Sequence, residues 1–281
     1  MPRMVVFALI ALSIPASARA QERTEPGLGD LMRARSFGMG GAFRALGGGT
    51  EAIEGNPASL AVFRRYIIEL AGAWDPRNPF GFGSVSVMDS ASGALAAGLA
   101  YHLVSLGTGE DHRVAHLNTA AFSLPFGQAL QVGVSARHVV MTGSRQANAI
   151  TGDAGLLLRM GPVMATVSGH NLVDIANSDF PRTFAGALGL ITPEFTLAAD
   201  VRSDFDPARP AYSFSGGAEW VAGGALPLRA GFTRDFALRS SYVGAGIGFL
   251  VEGGGLDLGY RHELGGSYSR LLSVTFRLRV Q

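Results

Sequence analysis

The chain has 281 residues, no cysteine, 39 glycines and only 16% charged residues, with a formal net charge of +1. Without cysteine there is no disulfide scaffold, zinc ribbon or thiol chemistry. A near-neutral chain with no basic cluster is no nucleic-acid binder. A mean hydropathy of +0.24 excludes a disordered chain, and no run of 18 apolar residues is long enough for a spanning helix. All 23 basic residues are arginine. A hydrophobic, glycine-rich chain of this kind is either a soluble all-β protein or a membrane β-barrel.

Residues 1–20 read as an export signal. Arg3 gives a positive start, Met4 to Ile14 an apolar stretch, and Ala18-Arg19-Ala20 a small-residue cleavage site. The mature chain is expected to begin near Gln21, with no lipid-bearing cysteine behind it.

Residues 21–65 do not alternate. They hold Gly38-Met39-Gly40-Gly41-Ala42-Phe43 and, further on, Asn56-Pro57-Ala58-Ser59-Leu60-Ala61. Asn56 is suited to cap a helix and Pro57 to begin it, so a short helix is expected there. The apolar Phe37, Met39, Phe43 and Leu46 fit a plug inside a lumen better than a free arm. Gly38, Gly40 and Gly41 would let its backbone pass close to the wall.

From Tyr66 onward the apolar period is two. Leu272, Val274, Phe276 and Leu278 oppose Ser273, Thr275, Arg277 and Arg279; Phe195, Leu197, Ala199 and Val201 oppose Thr196, Asp200 and Arg202. Such segments are expected at 66–74, 81–88, 94–104, 113–124, 129–141, 150–160, 163–171, 183–191, 195–202, 211–221, 226–235, 240–250, 255–263 and 267–279. Tight connections (125–128, 161–162, 192–194, 222–225, 251–254) alternate with longer polar ones (107–112, 142–149, 172–182, 203–210). That is the pattern of an outer-membrane barrel. A sandwich has no reason to alternate its connections, nor to fill its hydrated face with Gly, Ala, Ser and Thr. Aromatics stand near both strand ends: Trp74, Phe184, Tyr212, Tyr242 and Tyr268 at one, Tyr66, Phe126, Phe195, Trp220 and Phe249 at the other. The expected fold is all-β: a closed 14-stranded antiparallel transmembrane barrel over 66–281, with an N-terminal plug over 21–65.

The glycine run of 38–43, followed by Asn56-Pro57-Ala58-x-Leu60-Ala61, resembles the N-terminus of the FadL-like outer-membrane barrels. That resemblance implies fourteen strands and a hatch. Within the superfamily, Asn171-Leu172-Val173-Asp174 and Phe180-Pro181-Arg182-Thr183 are similar to the PorV/PorQ group, with His170 and Val173 as departures. The subgroup resemblance implies a partner-binding component of an envelope-spanning secretion or surface motility machinery. Its contact loop would be 172–182, through Asn171, Leu172, Val173, Ile175, Phe180 and Pro181. The plug motif by itself implies the alternative, a passive channel for hydrophobic small molecules. Connections of this length supply little of an external ligand groove. Expected partners are outer-membrane lipid, the barrel-assembly machinery, envelope proteins and a hydrophobic small molecule. Phe276 stands in the terminal strand, although the chain runs on to Gln281.

Spacings for enzymatic chemistry are missing. His112 and His116, four apart on an extended segment, lie roughly 13 Å apart, too far for one ion. No zinc-protease, nucleophile-elbow or phosphate-loop spacing occurs, so no enzyme activity, cofactor or metal is expected. By strand parity Glu69, Arg137, Asp153, Arg159, Asp200, Arg202, Glu219, Arg229, Asp257 and Arg261 face the lumen, with Arg277 and Arg279. Internal ion pairing against the plug is their expected role. Apolar lumen candidates are few: Val139, Leu157, Met164 and Leu271, with no evident clustering.

Overall fold

Strands whose two faces meet different surroundings must pair every backbone group with a neighbour, and only a closed sheet does so without edges. In the computed structural model of the protein, which describes residues 31–177, 179–204, 211–236, 238–265 and 269–280, fourteen antiparallel strands close in this way. They are β1 (Tyr66–Asp75), β2 (Phe80–Asp89), β3 (Ala96–Leu106), β4 (Arg113–Phe126), β5 (Leu130–Gly143), β6 (Ala147–Met160) and β7 (Val163–His170). The second half comprises β8 (Thr183–Ile191), β9 (Phe195–Asp204), β10 (Ala211–Ala222), β11 (Leu226–Asp235), β12 (Ser240–Val251), β13 (Gly254–Glu263) and β14 (Arg270–Val280). Each strand pairs with its sequence neighbours, and β1 closes on β14 with Tyr66 opposite Val280 and Glu69 opposite Arg277. The export signal and Tyr268 lie outside the described residues.

One connection departs from expectation. The β5–β6 hairpin needs only 144–146, because alternation continues through both strand ends. The segment 171–182 is the longest connection described between strands.

The outward parity carries large exposed apolar side chains around the wall, such as Leu70, Leu99, Val134, Leu188, Phe232 and Leu258. Trp74, Phe126, Phe184, Phe195, Trp220 and Phe249 are exposed at its ends. Tyr242 leaves this girdle. It stands on the lumen parity beside Gly244, and the Arg261 guanidinium lies 4.8 Å from its ring centre.

Residues 31–62 lie inside the barrel. They form α1 (Ala34–Gly38), α2 (Ala52–Gly55) and a single 3₁₀ turn over Pro57–Ala61. Asn56 caps this turn by accepting a hydrogen bond from the Ala58 N–H at 3.1 Å. This is the short helix expected from Asn56 and Pro57, in 3₁₀ form. The two short helices before it were invisible to periodicity, being too short to repeat.

What lets this segment fit is glycine in the wall. On the lumen parity, Gly133, Gly217, Gly231, Gly244 and Gly259 each face plug backbone. A Cβ added at Gly244 would stand 2.0 Å from the Phe37 carbonyl oxygen, and one at Gly133 2.1 Å from the Ala58 nitrogen. The plug contributes Gly40, which has φ +62 and would place a Cβ 2.3 Å from the Phe232 nitrogen. Backbone therefore passes backbone at a distance no side chain permits.

Candidate functional site

The lumen divides into layers of different chemistry. The middle layer is charged and paired. Glu219 takes hydrogen bonds from Arg35 of α1 at 2.8 and 3.1 Å and from Arg229 at 2.5 Å. Arg229 reaches on to Asp257 at 2.6 Å. Arg277 binds Glu69 at 2.7 Å, and Arg33 of the plug stands 3.6 Å from the same carboxylate. Across the lumen, Asp200 accepts from the N–H groups of Phe43 and Arg44, and the Arg44 guanidinium lies 3.2 Å from it. Arg202 pairs with Asp204 at 3.2 Å. Arg261 lies over the Phe37 ring at 5.3 Å. Arg159 differs: it holds the carbonyls of Val62 and Gly161 instead of a carboxylate.

Within this layer the plug motif acts as wall contact and cap. Gly38 passes against Arg229, the Phe43 ring covers Gly55, and Pro57 and Asn56 sit over Gly133 and Gly155. Arg35, Arg44, Glu51, Asn56 and Ser59 line a cavity of about 10 Å³, room for one water. Glu54 of α2 is buried 3.5 Å from Arg33 and 3.7 Å from the His102 Nε2. Neither Glu54 oxygen has a hydrogen bond. Burial pushes this carboxyl up to about 7, against the pull of Arg33 and Arg137.

A second knot holds the base of the 171–182 loop. Asp153 accepts from Ser135 at 3.2 Å, from Arg137 at 3.1 Å and from the Asn171 N–H at 2.8 Å. His170 Nδ1 stands 3.6 Å from the same carboxylate, and its Nε2 is 2.9 Å from the Ser168 hydroxyl. The order Ser168–His170–Asp153 is that of a hydrolytic relay. Here, however, the carboxylate is already taken by three other donors and all three side chains are buried. The network fixes Asn171, whose φ of +53 turns the chain off the wall. The Asn171 amide then donates to the Pro181 carbonyl at 2.9 Å, tying the two ends of the loop together.

Above the charged layer, at the long-loop end, the side of the lumen formed by β1 to β5 and β14 is apolar, while the ends of β9 and β11 keep Arg202 beside Asp204 and Asp235. Phe82, Val104, Leu106, Ala115, Leu117, Val139, Met141 and Leu271 form one cluster, floored by Leu31, Met32 and Phe37 of the plug. Phe180 of the loop is 4% exposed and belongs to the same cluster, with Ile175 packed against it. Two expectations are corrected. Val139 and Leu271 do cluster, because neighbouring strands bring Leu106, Leu117 and Met141 beside them; Leu157 and Met164 form a smaller cluster with Ala45, Ala58 and Val62. The loop also does not display its four apolar groups together. Phe180 and Ile175 turn inward as a roof, and Leu172 and Val173 stay exposed at 37% and 58%.

His112 and His116 stand apart from this chemistry. His112 meets Ser105 and His116 meets Tyr101. Among the described residues no cluster of metal-ligating side chains occurs.

No protein-family model matches the chain, and no curated protein matches it in sequence. Solved structures do. The chain shares its fold with solved structures of toluene transporters. The Ralstonia pickettii toluene transporter TbuX superposes with a TM-score of 0.73 at 12% identity, over 90% of this chain and 99% of that one. The Pseudomonas putida toluene transporter TodX gives 0.68 at 13%, over 87% and 95%. A Pseudomonas aeruginosa FadL homologue gives 0.64 at 10%, over 91% and 98%. These likenesses lie in the fold, and nothing in them singles out the PorV/PorQ group.

Proposed function

We propose that the protein is an outer-membrane channel through which hydrophobic small molecules pass without an energy source. The apolar layer under the 171–182 loop carries this reading. Apolar side chains from six strands converge where a water-filled porin would place polar ones, and they suit an uncharged, water-poor guest. The fold shared with barrels described as toluene transporters supports the same choice, as does the exposed apolar outer wall. Beneath the layer the plug and the paired charges Arg35–Glu219–Arg229 and Arg44–Asp200 stand across the lumen. A guest therefore moves on only when plug or loop gives way.

The partner-docking reading rested on the PorV/PorQ resemblance at Asn171-Leu172, the short loops and a plugged, charge-paired lumen, with a contact patch of apolar groups on the 172–182 loop. With Phe180 and Ile175 turned into the lumen, that patch is reduced to Leu172 and Val173.

The test is uptake of labelled toluene by cells whose outer membrane lacks comparable channels. Wild type should raise uptake. Leu117→Asp with Val139→Asp should return it to background while the barrel still migrates differently in boiled and unboiled gels. Undiminished uptake in that folded variant rejects the apolar layer as the route.

A further inference from the structure

The short-turn end of the barrel, which faces the periplasm in the proposed placement, carries arginines that the plug does not neutralise. Arg64 and Arg65 stand where the plug runs into β1, Arg159 at the β6–β7 turn and Arg279 near the end of β14. Arg65 and Arg159 lie over the Phe63 ring at 4.9 and 5.6 Å. Arg65 donates to the Gly48 carbonyl, Arg64 to that of Ala91, and Arg159 to those of Val62 and Gly161. The Arg279 Nε is buried without a hydrogen bond. Among the described residues none of the four has a carboxylate within ion-pair distance. This contrasts with Arg35, Arg229 and Arg277 a few residues deeper, which are all paired.

Nearby acids are already engaged. Asp89 accepts the N–H groups of Ala91 and Ser92, while Glu69 and Asp257 hold Arg277 and Arg229. Glu252 sits on the β12–β13 turn beside the end of β14, where the Arg279 N–H donates to the Gly253 carbonyl, and Glu194 on the β8–β9 turn next to that of β6–β7; neither is within ion-pair distance of the four arginines. The crowding is felt at Arg65, whose guanidinium is pushed down to about 10 by burial and then by Arg279, Arg277 and Arg35.

Like charges gathered at one rim without ion-pair partners, two of them over the Phe63 ring, cost free energy unless something anionic completes them. We propose that this rim docks an acidic segment of a periplasmic protein. A single small carboxylate would neutralise one guanidinium; four, spread from the end of the plug to two strand ends, match a run of Asp and Glu. Arginine beside a half-buried aromatic is also the composition that concentrates binding energy at protein interfaces, and the shared sign of the four guanidinium groups would steer the encounter. The inference goes beyond passage of a hydrophobic guest and does not depend on it.

The test uses the full mature protein in detergent micelles, with a fluorescein-labelled oligoglutamate peptide as one probe and labelled decanoate as the other. Wild type should bind the peptide, with affinity falling steeply as salt rises. Arg159→Gln with Arg279→Gln should weaken binding about tenfold or more. Arg64→Gln, at an exposed side chain that burial does not constrain, should weaken it by about threefold. Arg145→Gln at the opposite end should change nothing. Equal peptide binding in wild type and the Arg64 and Arg159/Arg279 variants overturns the proposal, as does failure of wild type to bind the peptide. Decanoate binding lost in the same variants, without peptide binding, would reassign the rim to small carboxylates. Toluene uptake, measured separately, can fail or succeed without altering this result.

Discussion

The charged middle of the lumen draws its ion pairs mainly from β1, β9 to β11, β13 and β14, and the apolar layer above it its side chains mainly from β2 to β5 and β14, and the two hold the plug by opposite means. In the middle, wall glycines bring backbone against backbone, and the remaining space is closed by ion pairs such as Arg35–Glu219–Arg229. Contact there has little tolerance, because both partners are stiff and the charges are lost to water. In the upper layer, Leu31, Met32 and Phe37 meet Leu106, Leu117 and Met141 through side chains that can exchange neighbours. A hydrophobic guest can replace a hydrophobic side chain at little cost, whereas nothing apolar can replace a carboxylate between two guanidinium groups. The difference teaches where a passage can open. The upper layer can accept a substitute, and the middle can only be displaced as a body.

Breaking the middle layer should have the largest effect. Gly244→Val puts a branched side chain where Phe37 backbone already lies, so α1 should be expelled while the strands still close. Planar-bilayer recordings should show low conductance for wild type and a clear rise for this variant. Deletion of Gly38 to Ala61 should give the same rise. Unchanged conductance in both would mean that the segment does not obstruct the lumen.

Glu219→Ala leaves Arg35 and Arg229 buried without their shared carboxylate. Loss of one partner of a buried pair costs about 3–5 kcal/mol, to be read from denaturant melts in micelles. Its comparison is Leu117→Ala in the upper layer, at about 2–4 kcal/mol. A cost at Leu117 exceeding that at Glu219 would invert the contrast between the layers.

Glu54 sharpens the comparison through pH. Its carboxyl is raised to about 7 in the folded chain from an ordinary value of 4.5. The folded state therefore binds the proton more tightly. The stability this contributes is complete below about 4.5 and is lost as pH rises through 7. The loss is on the order of 3 kcal/mol. Thermal melts should show stability declining over that window, and Glu54→Gln should flatten the decline. An unaltered slope in the variant would place the titration elsewhere.

The smallest expected effect is at the loop surface. Arg145 lies 3.1 Å from Asp179 but is half exposed. Arg145→Ala should cost about 0.5 kcal/mol or less, leaving the roof in place as judged by protease resistance of the loop.

Strand positions were legible because the two faces of a barrel meet different surroundings, and period two survives wherever they do. The lumen position of Glu69, Asp153, Asp200, Glu219 and Asp257 followed from the same parity. The upper layer was not legible for the converse reason. Where lumen and lipid are both apolar, alternation disappears: in Leu103-Val104 and Val139-Val140-Met141, inward and outward residues look alike. That local loss of alternation at the long-loop ends of β3 and β5 was the available signal. The role of the wall glycines was missed because glycine read, with Ala, Ser and Thr, as one more small residue of the hydrated face. The informative feature was one inward glycine on strand after strand, at the parity of the charges. The inward turn of Phe180 had no sequence signature, since it depends on Asn171 meeting Asp153, Arg137 and Pro181 across separate strands.

The seam where β1 meets β14 carries Glu69 opposite Arg277, and the plug is tied into that seam. Thr50 donates to Glu69 at 3.0 Å, and the Ala34 N–H donates to the Thr275 hydroxyl at 3.2 Å. The first and last strands are thus joined through a segment that precedes both in the chain. During assembly, zipping the seam around an empty lumen would leave Glu69 without the plug's hydroxyl and guanidinium, facing Arg277 alone. Closure of the cylinder and seating of its contents are then one event, with the earliest part of the chain acting as the mandrel around which the latest strand is fastened.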